Sequence, residues 1–231
     1  MGPMDEIHSR TSRCRLPLVR AAGWLACAAL AGCVATEFEA RPNIPTPLVT
    51  KIPLVVGLYV APEFRDKVYE ETRDGSDYSI AIGTAQADGF TRLMGAMFER
   101  VVTVDATDAG ARTDPQIRAV LEPVLEDFAF VTPSDSGSDV YAASLRYRVN
   151  AYKPDGQTID SWTFTGYGAA KNDSMLAGGS ETLKTAVQLA MRDAAAKLAT
   201  EFREQAVVRG LLPAVPGSTP EAPVEVTLPQ S

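Results

Sequence analysis

The side chains that carry most nucleophilic, acid–base and metal chemistry lie within the first 33 residues of this chain. Its 231 residues include one histidine, His8, and three cysteines, Cys14, Cys27 and Cys33. Ser-His-Asp and Cys-His catalysis, histidine-containing zinc sites and disulfides all need these residue types. If the N-terminal segment is removed from the mature protein, these chemistries are excluded. We therefore expect a protein that is not an enzyme, with carboxylate, lysine or tyrosine catalysis as the remaining alternative.

The remaining chemical candidates are carboxylates and two polar loops. Glu122 and Glu126 could form the carboxylate pair of a glycosidase or of a hard-metal site. On a strand, however, they lie about 13 Å apart at a rise of roughly 3.3 Å per residue, so a solvated strand face is the favoured interpretation. Residues 135–139 depart from the EF-hand spacing, and residues 178–180 depart from phosphate-binding loop patterns. No metal or cofactor is predicted.

The charge balance argues against a nucleic-acid partner. The 22 basic and 29 acidic residues give a net charge of -7 and a pI of about 4.9. A nucleic-acid-binding domain is typically basic. The 45% hydrophobic and 22% charged residues are typical of a globular protein.

The N-terminal segment has the pattern of an export signal. Four arginines precede an apolar run over residues 21–31, as in the positive and hydrophobic regions of a signal peptide. The apolar run is too short for a membrane-spanning helix, which needs about 20 residues. We predict a signal peptide over residues 1–32.

The end of this segment, Leu30-Ala31-Gly32-Cys33, resembles the bacterial lipobox. The resemblance implies signal cleavage between Gly32 and Cys33 and lipidation of the Cys33 thiol by diacylglycerol, with palmitate among its acyl chains. Val34 rather than Asp follows the cysteine, which under the sorting rule of enteric bacteria implies the periplasmic face of the outer membrane. A soluble secreted protein cut at another position is the alternative.

Cleavage at this position would leave a chain that is more acidic and chemically simpler. Removing residues 1–32, which contain four arginines and two acidic residues, leaves 199 residues with a net charge of -9. No histidine and no free thiol would remain. Two or three acyl chains would anchor the protein stably, since each buried CH₂ contributes about 0.8 kcal/mol.

The mature chain divides into three segments by composition. Residues 33–51 contain Pro42, Pro45 and Pro47 and predict a lipidated tether that holds the domain off the membrane. Residues 52–208 predict one globular domain. Residues 209–231 are rich in proline and predict a disordered tail.

The domain has the hydrophobic periods of an α+β fold. Predicted strands cover residues 52–59, 68–72, 78–82, 101–104, 118–131, 140–152 and 157–167. Pro123 makes 118–131 an edge or bulged strand, and the last two strands form a hairpin. Helices are predicted over 84–100 and over about 25 residues from an N-cap at Ser180. We expect a single mixed or antiparallel sheet of about six to seven strands packed against two helices.

Trp162 and Phe164 lie on one face of the second hairpin strand. Aromatic pairs of this kind usually pack in a core. An exposed aromatic patch that binds a partner is the alternative, so the two residues are a candidate interaction surface.

The domain also looks like a family of uncharacterised proteobacterial lipoproteins. The resemblance rests on four short segments: Leu54–Tyr59, Pro62–Arg65, Glu122-Pro123 and Ala194–Ala196. The element order is similar, more distantly, to YajG-type and CsgG/PelC/LpoB-like periplasmic lipoproteins. This likeness implies a small α+β domain that is an accessory part of an envelope machine, and it carries no functional residue other than Cys33.

Two functions remain open from the sequence. The first is a non-catalytic, lipid-anchored accessory or scaffold component of an envelope assembly or transport system, which binds an envelope protein or assembles with itself. The second is a periplasmic carrier or sensor of a small apolar or lipid ligand. A ligand pocket of roughly 300–1,000 Å³ between sheet and helices would favour the carrier.

Overall fold

The computed structural model describes residues 35–40, 47–73, 75–172 and 179–208, so the predicted signal peptide, Gly32, Cys33 and the predicted tail lie outside the described residues. The strands are β1 (Ala35–Glu39), β2 (Ile52–Tyr59), β3 (Val68–Arg73), β4 (Ser76–Ala81), β5 (Phe98–Val104), β6 (Ile117–Val131), β7 (Val140–Tyr152) and β8 (Thr158–Lys171). The helices are α1 (Pro62–Arg65), α2 (Gly83–Met97), α3 (Gly110–Thr113), α4 (Pro133–Ser136) and α5 (Gly179–Val208).

The strands form two sheets. The larger has five strands in the order β5-β2-β6-β7-β8, and the smaller has three in the order β1-β4-β3. The predicted α+β class is confirmed, but the prediction of a single sheet of six to seven strands is wrong. The β3–β4 hairpin does not join the main sheet, because its partner is β1, which pairs with β4 in parallel. This strand lies in the segment that the sequence predicted as a tether.

Both long helices and the smaller sheet pack on the same face of the larger sheet. One core cluster joins Phe38 and Ile80 of the smaller sheet with Leu145 of β7, Leu93 of α2 and Val187 of α5. A second contact between the sheets is aromatic: the ring of Tyr69 lies 4.7 Å from that of Phe128, and Tyr78 lies 4.9 Å from Phe130. The two sheets thus share one core.

The predicted hairpin is present and longer than expected. β7 covers the predicted residues 140–152, and β8 continues four residues beyond the predicted end at Tyr167, to Lys171. Along β7 the side chains at 143, 145, 147, 149 and 151 are buried, while Arg146 and Arg148 are exposed. Gly156 in the connecting turn has φ 92°, which favours glycine.

The strand β6 lies between β2 and β7 rather than at an edge. A register shift between Leu125 and Asp127 supplies the predicted bulge. Proline has no backbone N–H to donate to a neighbouring strand. Pro123 is tolerated because the pairing of β6 with β2 ends at Leu121, so no hydrogen bond to β2 is needed at position 123.

The two predicted helices are present with shifted boundaries. α2 ends at Met97 instead of residue 100, since the chain enters β5 at Phe98. α5 has 30 residues and is about 45 Å long. It begins at Gly179, so Ser180 lies inside the helix rather than at its N-cap. Among the described helices none is long and apolar enough to cross a membrane.

α5 approaches the backbone of β8 directly. A Cβ atom at Gly166 would lie 2.0 Å from the Ala190 carbonyl oxygen, and one at Gly168 would lie 2.1 Å from that of Ala186. Small residues on the helix meet glycines on the strand at both points. Any larger side chain at these glycines must push α5 away from the sheet.

Gly166→Ala should destabilise the domain by about 1–3 kcal/mol, because the added methyl group has no space against α5. Gly95→Ala on α2 is the matched control. Gly95 is exposed and an added Cβ would meet nothing within 4 Å, so the change should stabilise the helix by about 0.5–1 kcal/mol. Denaturant unfolding measures both effects. Equal stabilities of wild type and Gly166→Ala would contradict the close contact.

Candidate interaction surface

One face of the larger sheet carries polar side chains along β6, β7 and β8, while α2 and α5 pack on the opposite face. We call this surface the open face. Its side chains alternate along the strands with the buried ones and are aligned by the strand register. The residues that define it are Glu122, Glu126, Arg146, Arg148, Asn150, Tyr152, Thr163, Thr165 and Tyr167.

Glu122 is held by two neighbours on β7. Its Oε2 accepts a hydrogen bond of 3.0 Å from Asn150 Nδ2 and one of 2.7 Å from the Tyr152 hydroxyl. Burial, together with the bond to Glu122, raises the pKa of Tyr152 to about 12. The phenol therefore remains protonated at neutral pH and acts as a hydrogen-bond donor to the carboxylate rather than as a base.

Glu126 lies at the bulge of β6 and forms ion pairs with two arginines of β7. Arg146 Nε lies 3.4 Å from its Oε2, and an Arg148 guanidinium nitrogen contacts its Oε1. The arginine side chains are 50% and 44% exposed, whereas Glu126 is 19% exposed. The carboxylate is thus compensated, while about half of each arginine side chain remains exposed.

Glu122 and Glu126 share a face, but each has its own partners. The two carboxylates therefore do not form a pair that could act together as general acid and base. Across the described part of the chain, no group of three His, Cys, Asp or Glu side chains could hold a metal ion. The open face is thus a polar surface whose carboxylates are held by neighbouring side chains of β7.

Two side chains of α5 form hydrogen bonds with backbone groups at the outer edge of β8. Asp193 Oδ2 accepts the Tyr167 amide at 2.9 Å, and Lys197 Nζ donates to the Thr165 carbonyl and to Asp193, each at 2.7 Å. Burial opposes ionisation of Asp193, but the hydrogen bonds from Lys197 and the Tyr167 amide lower the pKa of this carboxyl. An additional strand cannot pair at this point without displacing the two side chains.

Trp162 and Phe164 do not form an exposed surface. They are 4% and 8% exposed, because the alternation of β8 turns them toward the helices. The Trp162 ring lies 4.9 Å from Phe202 of α5, and Phe164 lies 6.2 Å from Tyr147. The core interpretation of this pair is the correct one.

Sequence reasoning missed the arginines of β7, the exposed Tyr167 and the pair Asp193 and Lys197. The alternation of β7 already placed Arg146 and Arg148 together on its polar side. The i, i+4 spacing of Asp193 and Lys197 was visible as well. Their contact with the edge of β8 was not, because it depends on the tertiary position of α5.

Two cavities lined by described residues of the sheet and the helices are small. A cavity of about 10 Å³ lies among Gln86, Phe90, Tyr147 and Met191, and one of about 100 Å³ lies beside Trp162. Both are below the roughly 300–1,000 Å³ of typical ligand pockets. A larger groove of about 520 Å³ opens at the end of the domain and is lined by Val49, Thr50, Ile52, Met97, Ala199, Thr200 and Arg203.

No protein-family model and no curated protein matches the sequence. Solved structures are similar over most of their length at low identity. A DUF330 protein from Xanthomonas campestris is 14% identical, with a TM-score of 0.42, over 78% of this chain and 97% of that one. A minor lipoprotein from Acinetobacter baumannii is 9% identical, with a TM-score of 0.41, over 68% and 95%. The rare lipoprotein B from Shewanella oneidensis is 14% identical, with a TM-score of 0.37, over 67% and 97%.

Asp193→Asn should reduce the free energy of unfolding at neutral pH by about 0.5–1 kcal/mol, a modest value because the carboxylate is 37% exposed. Since the pKa of Asp193 is lowered in the fold, its stabilising effect is present above the ordinary value of 3.8 and is lost as the pH falls through the folded-state pKa. The two proteins should therefore converge in acid. Urea unfolding at several pH values measures this difference.

Asp88→Asn, at an exposed position on α2, is the control. It should stay within about 0.5 kcal/mol of wild type at neutral pH. A constant offset between wild type and Asp193→Asn at every pH would contradict a role of the Asp193 charge at the sheet edge.

Proposed function

We propose that this protein is a non-catalytic lipoprotein of the outer membrane, anchored on the periplasmic side through Cys33. Its role would be that of an accessory or scaffold component of an envelope assembly or transport system. The lipobox-like sequence that ends at Cys33, directly after a positive and an apolar region, carries the proposal. The open face supplies the binding surface for another envelope protein.

The composition of the open face supports protein binding. Tyrosine and arginine are enriched at protein interfaces and among the residues that dominate their affinity. Tyr167 is 64% exposed, and Arg146 and Arg148 lie two residues apart on the strand beside it. Because these side chains stand on a hydrogen-bonded sheet, a partner would meet a surface that is already ordered.

The open face could bind either a different envelope protein or a second copy of this chain. We favour a different protein, because both arginines of the open face are already paired with Glu126 within one molecule. Two copies that met through this face would either break these ion pairs or keep them. In neither case would charge attraction between the copies increase.

The second candidate function, carriage of a small apolar or lipid ligand, has less support. Among the described residues, the cavities found between sheet and helices have volumes of about 10 and 100 Å³. The groove of about 520 Å³ has the size of a ligand site, but it is open and lies at the end of the domain rather than between its layers.

Cys33→Ala should abolish lipid labelling and leave uncleaved precursor, because the thiol accepts the diacylglycerol before the signal peptide is cut. Metabolic labelling with a tagged fatty acid and fractionation of the envelope measure both effects. Cys27→Ala, within the apolar region, is the matched control and should be processed like wild type. Normal cleavage and unchanged membrane attachment of Cys33→Ala would exclude the lipoprotein assignment.

A photo-crosslinking residue at Thr163 should capture an envelope protein in living cells, because Thr163 is exposed on the open face. The same residue at Arg192, exposed on α5, should give less of that adduct. Adding Arg148→Ala to the Thr163 variant should reduce the yield, since this change removes a donor beside the crosslinker. Adducts of equal yield at both positions would contradict binding through the open face.

A further inference from the structure

We infer that the lipid anchor holds one defined end of the domain against the headgroup layer of the bilayer. This inference rests on the proposed lipidation of Cys33. We call the contacting region the anchor-proximal end: the β3–β4 turn around Gly75 together with residues 131–139. The domain would stand directly on the membrane instead of at the end of a long tether.

The distance between the anchor and the fold is set by covalent geometry. β1 begins at Ala35, and Val34 is the one residue between it and Cys33. Two residues of extended chain span about 7 Å at most, whereas a free tether over residues 33–51 could span roughly 60 Å. Because β1 is paired along its length with β4, the chain cannot extend further without losing a strand of the smaller sheet.

The strand register identifies which end of the domain lies beside the anchor. Ala35 is the partner of Asp77, at the start of β4. Asp77 in turn lies opposite Thr72 of β3, and the Thr72 hydroxyl donates to Asp77 Oδ1 at 2.7 Å. The next residue of β3, Arg73, pairs with Ser76 across the turn. The start of β1 and the β3–β4 turn are therefore neighbours in one sheet.

Arg73 connects this turn to the larger sheet. Its Nη1 lies 2.9 Å from Asp135 Oδ2 and 3.1 Å from the Phe130 carbonyl oxygen. Asp135 belongs to α4, which follows the end of β6. At the same end of the domain, where β7 begins and β8 ends, Lys171 Nζ lies 3.2 Å from Asp139 Oδ2. The ends of both sheets meet here, so the anchor holds the whole domain and not only its smaller sheet.

The chemistry of the anchor-proximal end suits the hydrated headgroup layer. Its exposed residues are mainly glycine and serine, and its acidic side chains Asp135 and Asp139 are paired with Arg73 and Lys171. Val131 is its one large apolar side chain among those exposed in the described residues, at 40%. Among the described residues of this end there is neither an apolar patch that would enter the hydrocarbon nor a cluster of basic residues that would require anionic lipids.

The opposite end must then point away from the bilayer. β7 begins at the anchor-proximal end and runs for 13 residues to Tyr152, a length of about 40 Å. The β7–β8 turn, which contains Asp155, follows directly. The open face extends along this strand from the membrane toward the periplasm, where a partner can reach it.

The test compares two labels on the lipidated protein purified from membranes. Cleavage leaves no cysteine other than the lipidated one, so a cysteine can be introduced at a single exposed position. Ser134→Cys on α4 and Asp155→Cys in the β7–β8 turn each carry a fluorophore. Each protein is reconstituted in phosphatidylcholine vesicles that contain a lipid with a quencher on its headgroup. We expect strong quenching at position 134, and at position 155 quenching no stronger than for unanchored protein.

A linker variant separates anchoring from orientation. A flexible Gly-Ser insertion between Val34 and Ala35, about as long as the predicted tether, should keep the protein on the vesicles and reduce quenching at position 134 to the level at position 155. Equal quenching of both labels in vesicle-bound protein without the linker would overturn the inference alone. Failure of the purified protein to float with the vesicles would instead overturn the anchor at Cys33 and this inference with it.

Discussion

The contact between the backbones of α5 and β8 sets the arrangement of the rest of the domain. Because Gly166 and Gly168 have no side chains, the helix lies directly on the strand, with the carbonyl oxygens of Ala186 and Ala190 at the positions that two methyl groups would occupy. At this distance Asp193 and Lys197 reach the outer edge of β8. The same contact fixes which face of the sheet α5 covers, and therefore which face carries the polar side chains of β6, β7 and β8.

The open face carries both acidic and basic side chains, and most of their charge is compensated within the face. Glu122 binds two neutral donors, and Glu126 lies between two arginines. Such ion pairs on a surface contribute little to stability, typically 0–1 kcal/mol each, so they do not explain the fold. They do hold long side chains in place on the sheet, which would reduce the entropy cost of binding for the proposed partner.

The sequence predicts the parts of this structure that depend on local period and turn chemistry. The hairpin of β7 and β8, the strand β2 and both long helices follow from alternation or helical spacing. The smaller sheet does not follow from local pattern, because β1 (ATEFE) has too few apolar residues to predict a strand. This strand is stabilised by pairing with β4, which is distant in the sequence. Trp162 and Phe164 show the same limit for the site. Alternation places them on one face of β8, but only the position of α5 makes that face the inner one.

The pairing of β1 with β4 also gives the protein a particular mechanical character. Five residues of β1 run parallel to β4, and the chain enters β1 from its N-terminal side. A pull applied there along the strand loads the whole ladder in shear, so its hydrogen bonds must yield together rather than one after another. A flexible tether would instead extend under such a force before the fold was loaded. Here the first element to bear the force is a folded strand, and a steady pull on the N-terminus is a pull on the core that Phe38 shares with both sheets.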